Sequence, residues 1–237
     1  LGTNWQEASE FVQLVQSLPH LKIASIYSHL ATADSPDPTV MQLQHQRFQQ
    51  AIAQIKALGL KPPCLHLANS AATLTDKALH YDMVRAGLLI YGLYPATHLR
   101  SQINLKPVLQ VRARVTQVKT IAAGTGVSYS HQFIAKQEMR IAVVGIGYAD
   151  GVPRNLSNKM QVLIRGQRVQ QIGAITMDQL MVDISALPDI QEGEVVTLLG
   201  QDGKQQISAD DWANQLNTIS WEILCGFKHR LPRVGVI

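Results

Sequence analysis

The sequence predicts two parts in series: an α/β part of alternating strands and helices over residues 1–104, and a mostly β part over residues 105–237. Three observations predict it. Up to about residue 104, apolar residues at helical spacing alternate with short strand-like runs. Beyond it the runs are short and alternating, with turn residues between them. At 237 residues, 46% hydrophobic and 16% charged, the chain can bury a substantial core and is too apolar to be disordered.

In the first part, Trp5, Ala8, Phe11, Val12, Val15 and Leu18 recur at helical spacing, and Pro19 stops the helix. LKIASIYSHL reads as a buried strand. ADSPDP is a loop broken by Pro36 and Pro38, with Thr39 placed to cap the helix VMQLQHQRFQQAIAQIKAL, which Gly59 ends. PCLHLAN then reads as a strand, SAATLTDKAL as a helix, and DMVRAGLLIYGLY returns to strand-like character. This order indicates parallel βα units, either an open doubly wound sheet or part of a barrel. The second part offers six strands: VLQVRARVTQV, RIAVVGIG, MQVLIRG, QRVQQIGAI, LMVDIS and EVVTLLG. A single late helix is expected at ISADDWANQL, with Ser208 as N-cap and Asp211 completing a capping box.

Composition excludes several function classes. No apolar run approaches the roughly 20 residues of a membrane span, and LGTNWQEASEF lacks the pattern of a secretory signal, so a soluble chain is expected. Cys64 and Cys225 lie far apart and outside any CxxC spacing, which suggests neither a disulfide framework nor a metal site and favours a reducing cytoplasm. The net charge of +4 is modest and the 21 Lys and Arg are scattered, so nucleic-acid binding is not indicated. The first residue is Leu1 rather than Met, and the natural start is therefore expected upstream.

Several polar residues fall where ligands bind. HLANSAA puts Asn69 and Ser70 at a strand-to-helix junction, where free amides and a hydroxyl would hold a phosphate; the alternative is that Ser70 merely caps the helix. DMVRAGLLIYG brings Arg85 and Gly87 to a strand end, the edge on which α/β folds bind ligands, although a lone Arg there is more often structural. Tyr129 in GTGVSYSHQF, Tyr148, Asp150 and Arg154 in GIGYADGVPR, Met177 and Asp178 in ITMDQLMVD, and His29 in IYSH each have an ordinary structural reading as well.

Taken together and in this order, IYSHLATAD, HLANSAA, DMVRAGLLIYG, GVSYSHQF, GIGYADGVPR, ITMDQLMVD and CGFKHRLPR resemble the alanine racemase family, over essentially the whole chain. The resemblance implies the later half of a pyridoxal-phosphate-binding (β/α)8 barrel followed by a C-terminal β-strand domain. It also implies a homodimer whose active sites draw on both chains, with L-alanine and D-alanine as substrates. By resemblance, Ser70, Asn69 and the backbone amides of Gly87 and Leu88 would hold the cofactor phosphate, with Trp221 nearby. Arg85 would face the pyridine nitrogen. Guanidinium has no acceptor and keeps its protons, so the ring nitrogen must stay unprotonated to accept from it. The cofactor is then a weaker electron sink, which limits side reactions.

Racemisation moves a proton off one face of a carbon and another onto the opposite face, so two acid/base groups must flank it. The family uses a lysine bonded to the cofactor and a tyrosine from the partner chain, and Tyr129 matches the tyrosine. His29 and Arg85 match a relay that could help that phenol act as a base. The Met177 amide, with Asp178, would meet the substrate carboxylate, and Tyr148 would narrow the entrance. Asp37, His66 and Arg154 match outer entrance positions. There are departures. The family lysine motif, similar to VKANAYGHG, does not occur in these residues, and a carboxylate-binding arginine would fall just before Leu1. Trp221 stands where many members have a tyrosine, and Ala174 where an arginine is common, which suggests a different entrance charge. These 237 residues alone are therefore expected not to racemise alanine. A serine or broad-specificity racemase and a noncatalytic cofactor-binding barrel protein are the competing readings.

Overall fold

The computed structural model describes residues 2–236, which form two compact units, one through Val108 and one from Leu109.

In the first unit, a 3-10 turn at Trp5–Glu7 leads into α1 (Ala8–Ser17), which ends just before Pro19 as its sequence requires. The strand expected over LKIASIYSHL is confined to β1 (Ile26–Tyr27). α2 (Thr39–Ala57) buries Phe48, Ala51, Ile52 and Ile55, one stripe at helical spacing, and Gly59 follows with φ +75°. Its cap differs from expectation. Thr39 is the first helical residue, and the Asp37 carboxylate accepts from both its N–H (3.0 Å) and its hydroxyl (2.6 Å). These bonds hold the Asp37 carboxyl below the usual carboxylate range. Asp37, expected at an entrance, is thus engaged at a helix start.

β2 (Leu65–His66) pairs parallel with β1, setting Ile26 against Leu65 and Tyr27 against His66. α3 (Ser70–Thr75) follows. The third strand expected in DMVRAGLLIYGLY is replaced by an extended run and α4 (Gly87–Ile90). The extended run still follows β2, with Asp82 N–H donating to Leu65 O (3.0 Å) and Arg85 N–H to Ala68 O (2.9 Å). Apolar runs this short do not distinguish strand from buried helix. A core of Val12, Leu30, Phe48, Ile52, Ile55, Leu67, Leu79 and Leu99 ties these pieces together.

The second unit carries all six strands expected there. β3 (Val111–Ile121) leads to a small hairpin of β4 (Gly126–Val127) and β5 (Phe133–Ile134). β6 (Met139–Val144), β7 (Gln161–Ile164), β8 (Gln167–Ile172), β9 (Leu180–Asp183) and β10 (Val195–Asp202) follow, and β11 (Gln205–Ile207) folds back on β10. The sheet order is β11-β10-β3-β6-β9-β8-β7, and β7 also meets β10 through Leu163 and Thr197. The six main strands therefore close into a barrel, which removes the exposed edges an open sheet would leave. α5 (Ala209–Leu216) has the expected cap: Ser208 Oγ accepts from Asp211 N–H and the Asp211 carboxylate from Ser208 N–H. It is not the only late helix. α6 (Ser220–Gly226) follows, its seven residues too few for a clear period in the sequence.

Candidate active site

The first unit assembles a polar cluster at the ends of β1 and β2. Asn69, not Ser70, caps α3: its Oδ1 accepts from Ala72 N–H (3.0 Å), and its Nδ2 donates to Leu30 O (3.4 Å). Asn69, expected among the phosphate ligands, therefore has its side chain engaged within the protein and shapes the turn. That frees Ser70 from capping. Its hydroxyl accepts from the N–H groups of Leu88 (3.0 Å) and Leu89 (3.4 Å) and keeps its own proton to donate. Among the described residues the Gly87 N–H has no protein acceptor, and a side chain built at Gly87 would meet nothing within 4 Å. A hydroxyl and an amide beside open space, with no carboxylate contacting either among the described residues, fit a phosphate group.

Arg85, two residues before Gly87, is held tightly. Nη1 donates to His66 Nδ1 (2.6 Å), and Nη2 to the carbonyls of Ser28 (2.8 Å) and Leu67 (3.1 Å) and to His29 Nδ1 (3.2 Å). Nε–H and the second Nη1–H have no protein partner among the described residues, so the guanidinium keeps donors for a ligand. Burial pulls the guanidinium below its ordinary range, yet it remains a cation at any working pH. His66 is a correction. Expected at an outer entrance, it is buried behind Arg85. Burial and then the adjacent Arg85 charge hold it below the ordinary histidine range, so the ring is neutral and Nδ1 can accept. Its Nε2 then donates to Ser25 Oγ at 3.2 Å. The sequence carried the signal in the pairing of SIYSH with LHLAN, but only the strand register sets Tyr27 beside His66.

The second unit gathers the other candidates on turns. Tyr129 opens a 3-10 turn, Tyr129–His131, between β4 and β5. Ser128, Ser130 and His131 all have positive φ (63°, 59° and 43°), an uncommon state for non-glycine residues that the surroundings must hold. Ser128 Oγ donates to Ala174 O (2.7 Å), and the β4 side of the turn abuts Gly173. Ala174 itself is fully buried. Tyr129 is 68% exposed, not packed in hydrocarbon, and borders an open groove of about 760 Å³ with Thr125, Ser128 and Lys119.

Tyr148 and Met177 are brought together by their backbones. Tyr148 N–H donates to Thr176 O and Ala149 N–H to Met177 O, both at 3.0 Å. Both side chains are substantially exposed. Asp150, nearly buried, accepts from Gly147 N–H (2.9 Å) and pairs with Arg230 Nε (3.3 Å). Arg230 Nη2 also donates to Asp178 (2.6 Å), so the Asp178 carboxylate, expected at the substrate, already has a cationic partner. Sequence reasoning missed Arg230 because it lies 52 residues from Asp178. Trp221 stands part-exposed on α6, and Arg154 is exposed. No group of three His, Cys, Asp or Glu among the described residues could hold a metal ion.

A helical segment that presents a phosphate cradle and a fixed arginine, together with a closed β-barrel bearing an exposed tyrosine, has a counterpart among known proteins. The family model of the alanine racemase N-terminal domain matches residues 1–95, and that of the C-terminal domain matches residues 108–235. The chain belongs to the alanine racemase family. It is 78% identical over its full length to the alanine racemase of a Nostoc species and 65% identical over 99% of its length to that of a Synechocystis species. It covers 61% and 63% of those proteins, so it spans about three fifths of their length. Among solved structures, alanine racemase from Bacillus anthracis with bound L-Ala-P superposes with a TM-score of 0.92 at 35% identity, over 99% of this chain and 61% of that one. Alanine racemase from Bartonella henselae with covalently bound pyridoxal phosphate gives 0.83 at 31% identity, over 99% and 62%. The fold is that of the later part of these enzymes: the closing portion of the PLP-binding barrel and the C-terminal β domain.

Proposed function

We propose that the protein carrying this chain racemises alanine with pyridoxal 5′-phosphate, and that the residues described above form most of its active site. The single observation that carries this reading is the cluster of Ser70, Gly87 and Arg85: a hydroxyl, oriented by the Leu88 N–H, and an open amide next to a guanidinium that is locked by four acceptors and still has N–H donors to offer. Bound there, the cofactor would supply the electron sink that makes the α-hydrogen of an amino acid removable. The Ser70 hydroxyl and the Gly87 amide would hold its phosphate; the Leu88 amide, expected beside them, instead donates to Ser70 Oγ and orients that hydroxyl, and Trp221 stands at the position where many relatives have a tyrosine. Arg85 would donate to the ring nitrogen and keep that atom unprotonated.

The proton chemistry belongs to Tyr129, offered by a second copy of the chain in a homodimer. Its phenol would take or return the α-hydrogen on one face, and a lysine outside these residues would serve the other. His29, bonded to Arg85, would complete the relay of positive potential. The Met177 amide would receive the substrate carboxylate. Arg230 neutralises Asp178 beside it, so the neighbouring carboxylate does not repel an anionic substrate. Tyr148 would exclude side chains larger than a methyl. On this reading the product D-alanine supplies peptidoglycan synthesis, and the enzyme works in the cytoplasm. No helix of the described residues is long and apolar enough to cross a membrane.

Two measurements test this. The intact protein should turn over alanine well ahead of serine and lysine, and a preference for lysine would refute the alanine assignment. Tyr129→Phe should lower kcat by about a hundred- to ten-thousand-fold while leaving the melt unchanged, since the side chain is exposed. Undiminished turnover in that variant would remove Tyr129 from the chemistry.

A further inference from the structure

Tyr27 lies outside every role assigned so far, yet its ring lies against both Arg85 and His66. The register of β1 and β2 places Tyr27 opposite His66, and the two rings stack with centroids 4.8 Å apart and planes 7° from parallel. The Arg85 guanidinium carbon lies 5.3 Å from the centroid of the same phenol ring. One aromatic ring thus contacts both partners of the 2.6 Å bond between Arg85 and His66.

We propose that Tyr27 is a positioning residue for Arg85: by covering the His66 ring and the guanidinium, it keeps His66 neutral and accepting, and so keeps Arg85 aimed. This rests on the proposed function for its catalytic consequence, though not for its structural content. The physical chain is short. Water reaching His66 would favour its protonation, because burial is what chiefly opposes the charged ring. Protonated, the ring has a donor on each nitrogen and no acceptor, so Nδ1–H would oppose Arg85 Nη1–H, cation against cation. Arg85 would lose the shortest of its anchors. The π face of Tyr27 acts in the same direction, since it attracts the guanidinium and holds it over the ring.

The groups around His66 all fit this account. Arg85 stands at Nδ1, the Ser25 hydroxyl at Nε2, and Tyr27 on the ring face. His29 shares the same guanidinium, and Asp82 accepts from the backbone of the adjacent Leu65, a bond that fixes the β2 end. The phenol hydroxyl has no part in the stack, so an aromatic ring without it should suffice.

The test compares Tyr27→Phe and Tyr27→Leu in the intact protein, read by the ring-nitrogen NMR signals of His66 and by the pH profile of alanine racemisation. Tyr27→Phe should match the parent in both. Tyr27→Leu should move the His66 titration upward toward the ordinary histidine range and blur its single tautomer. It should also lower kcat/KM at about pH 6 by about three- to tenfold more than at about pH 8.5. If the leucine variant melts early, Tyr27→Ile replaces it, since a β-branched residue suits the strand. An unchanged His66 titration and tautomer in the aliphatic variants overturns the proposal, as does a Tyr27→Phe variant that behaves like them. A protein that does not racemise alanine while its His66 signals move as stated would refute the proposed function and leave the role of Tyr27 intact.

Discussion

At the scale of single residues, the first unit turns on which atom does which task. Asn69 caps α3, so Ser70 is free to face Leu88; had Ser70 been the cap, its hydroxyl would be turned into the helix. His66 shows the same economy with protons. Its folded-state value lies below the ordinary 6.5, through burial first and the Arg85 charge second. The unfolded chain therefore takes up a proton, as pH falls below about 6.5, that the folded chain refuses, and stability declines across that window. The contribution of neutral His66 is complete above the window and lost as pH approaches the lowered value. Urea midpoints measured between about pH 8 and pH 5 should fall in this range, and a His66→Phe variant should lose that slope. Asp37 is held below the ordinary carboxylate range because Thr39 donates to its carboxylate.

At the scale of elements, the second unit places its candidates on turns that close packing keeps in one conformation. A side chain at Gly147 would lie 2.3 Å from Thr176 O and 2.4 Å from Met177 O, inside any allowed contact. Gly147→Ala should therefore destabilise by about 1–3 kcal/mol and shift the Met177 turn, raising the KM for alanine more than it lowers kcat. Arg230→Ala releases Asp150 and Asp178 together and should raise KM in the same way, whereas Arg230→Lys, lacking the forked guanidinium, should recover only part. A KM equal to the parent's in both alanine variants would dissociate these turns from substrate binding. Periodicity made α1, α2, α5 and the six barrel strands legible, since each is long enough to show its period or carries a clear cap. It failed for α4 and α6, which are four and seven residues long, and for the third strand expected after Tyr81, where a continuous apolar run has no period to read.

At the scale of the whole molecule, the reading rests on residues from two copies meeting in one site. Chains carrying Arg85→Ala and chains carrying Tyr129→Phe should each be nearly inactive alone. Refolded together in equal amounts, they should regain about a quarter of parental activity, because half the dimers would be mixed and each mixed dimer would hold one intact site. No recovery on mixing would exclude shared sites. The closed barrel gives the second unit its own hydrogen-bonded completeness, with β7 returning to β10 and every main strand paired on both sides. The partition of the chain into an α/β and a β part was plain from texture alone, because strand and helix periods differ so strongly.

The sequence by itself determined the class of each unit, the residues bearing the candidate chemistry and the family they belong to, because these depend on local period and on motif order. Tertiary structure alone decided what those residues touch. His66 moved from a supposed entrance to the back of Arg85, Asp37 to a helix start, Asp178 to Arg230, and Tyr27 from no role to a cover over the arginine. The reason is geometric: strand register and turn packing bring together residues tens of positions apart, and no local pattern encodes that proximity.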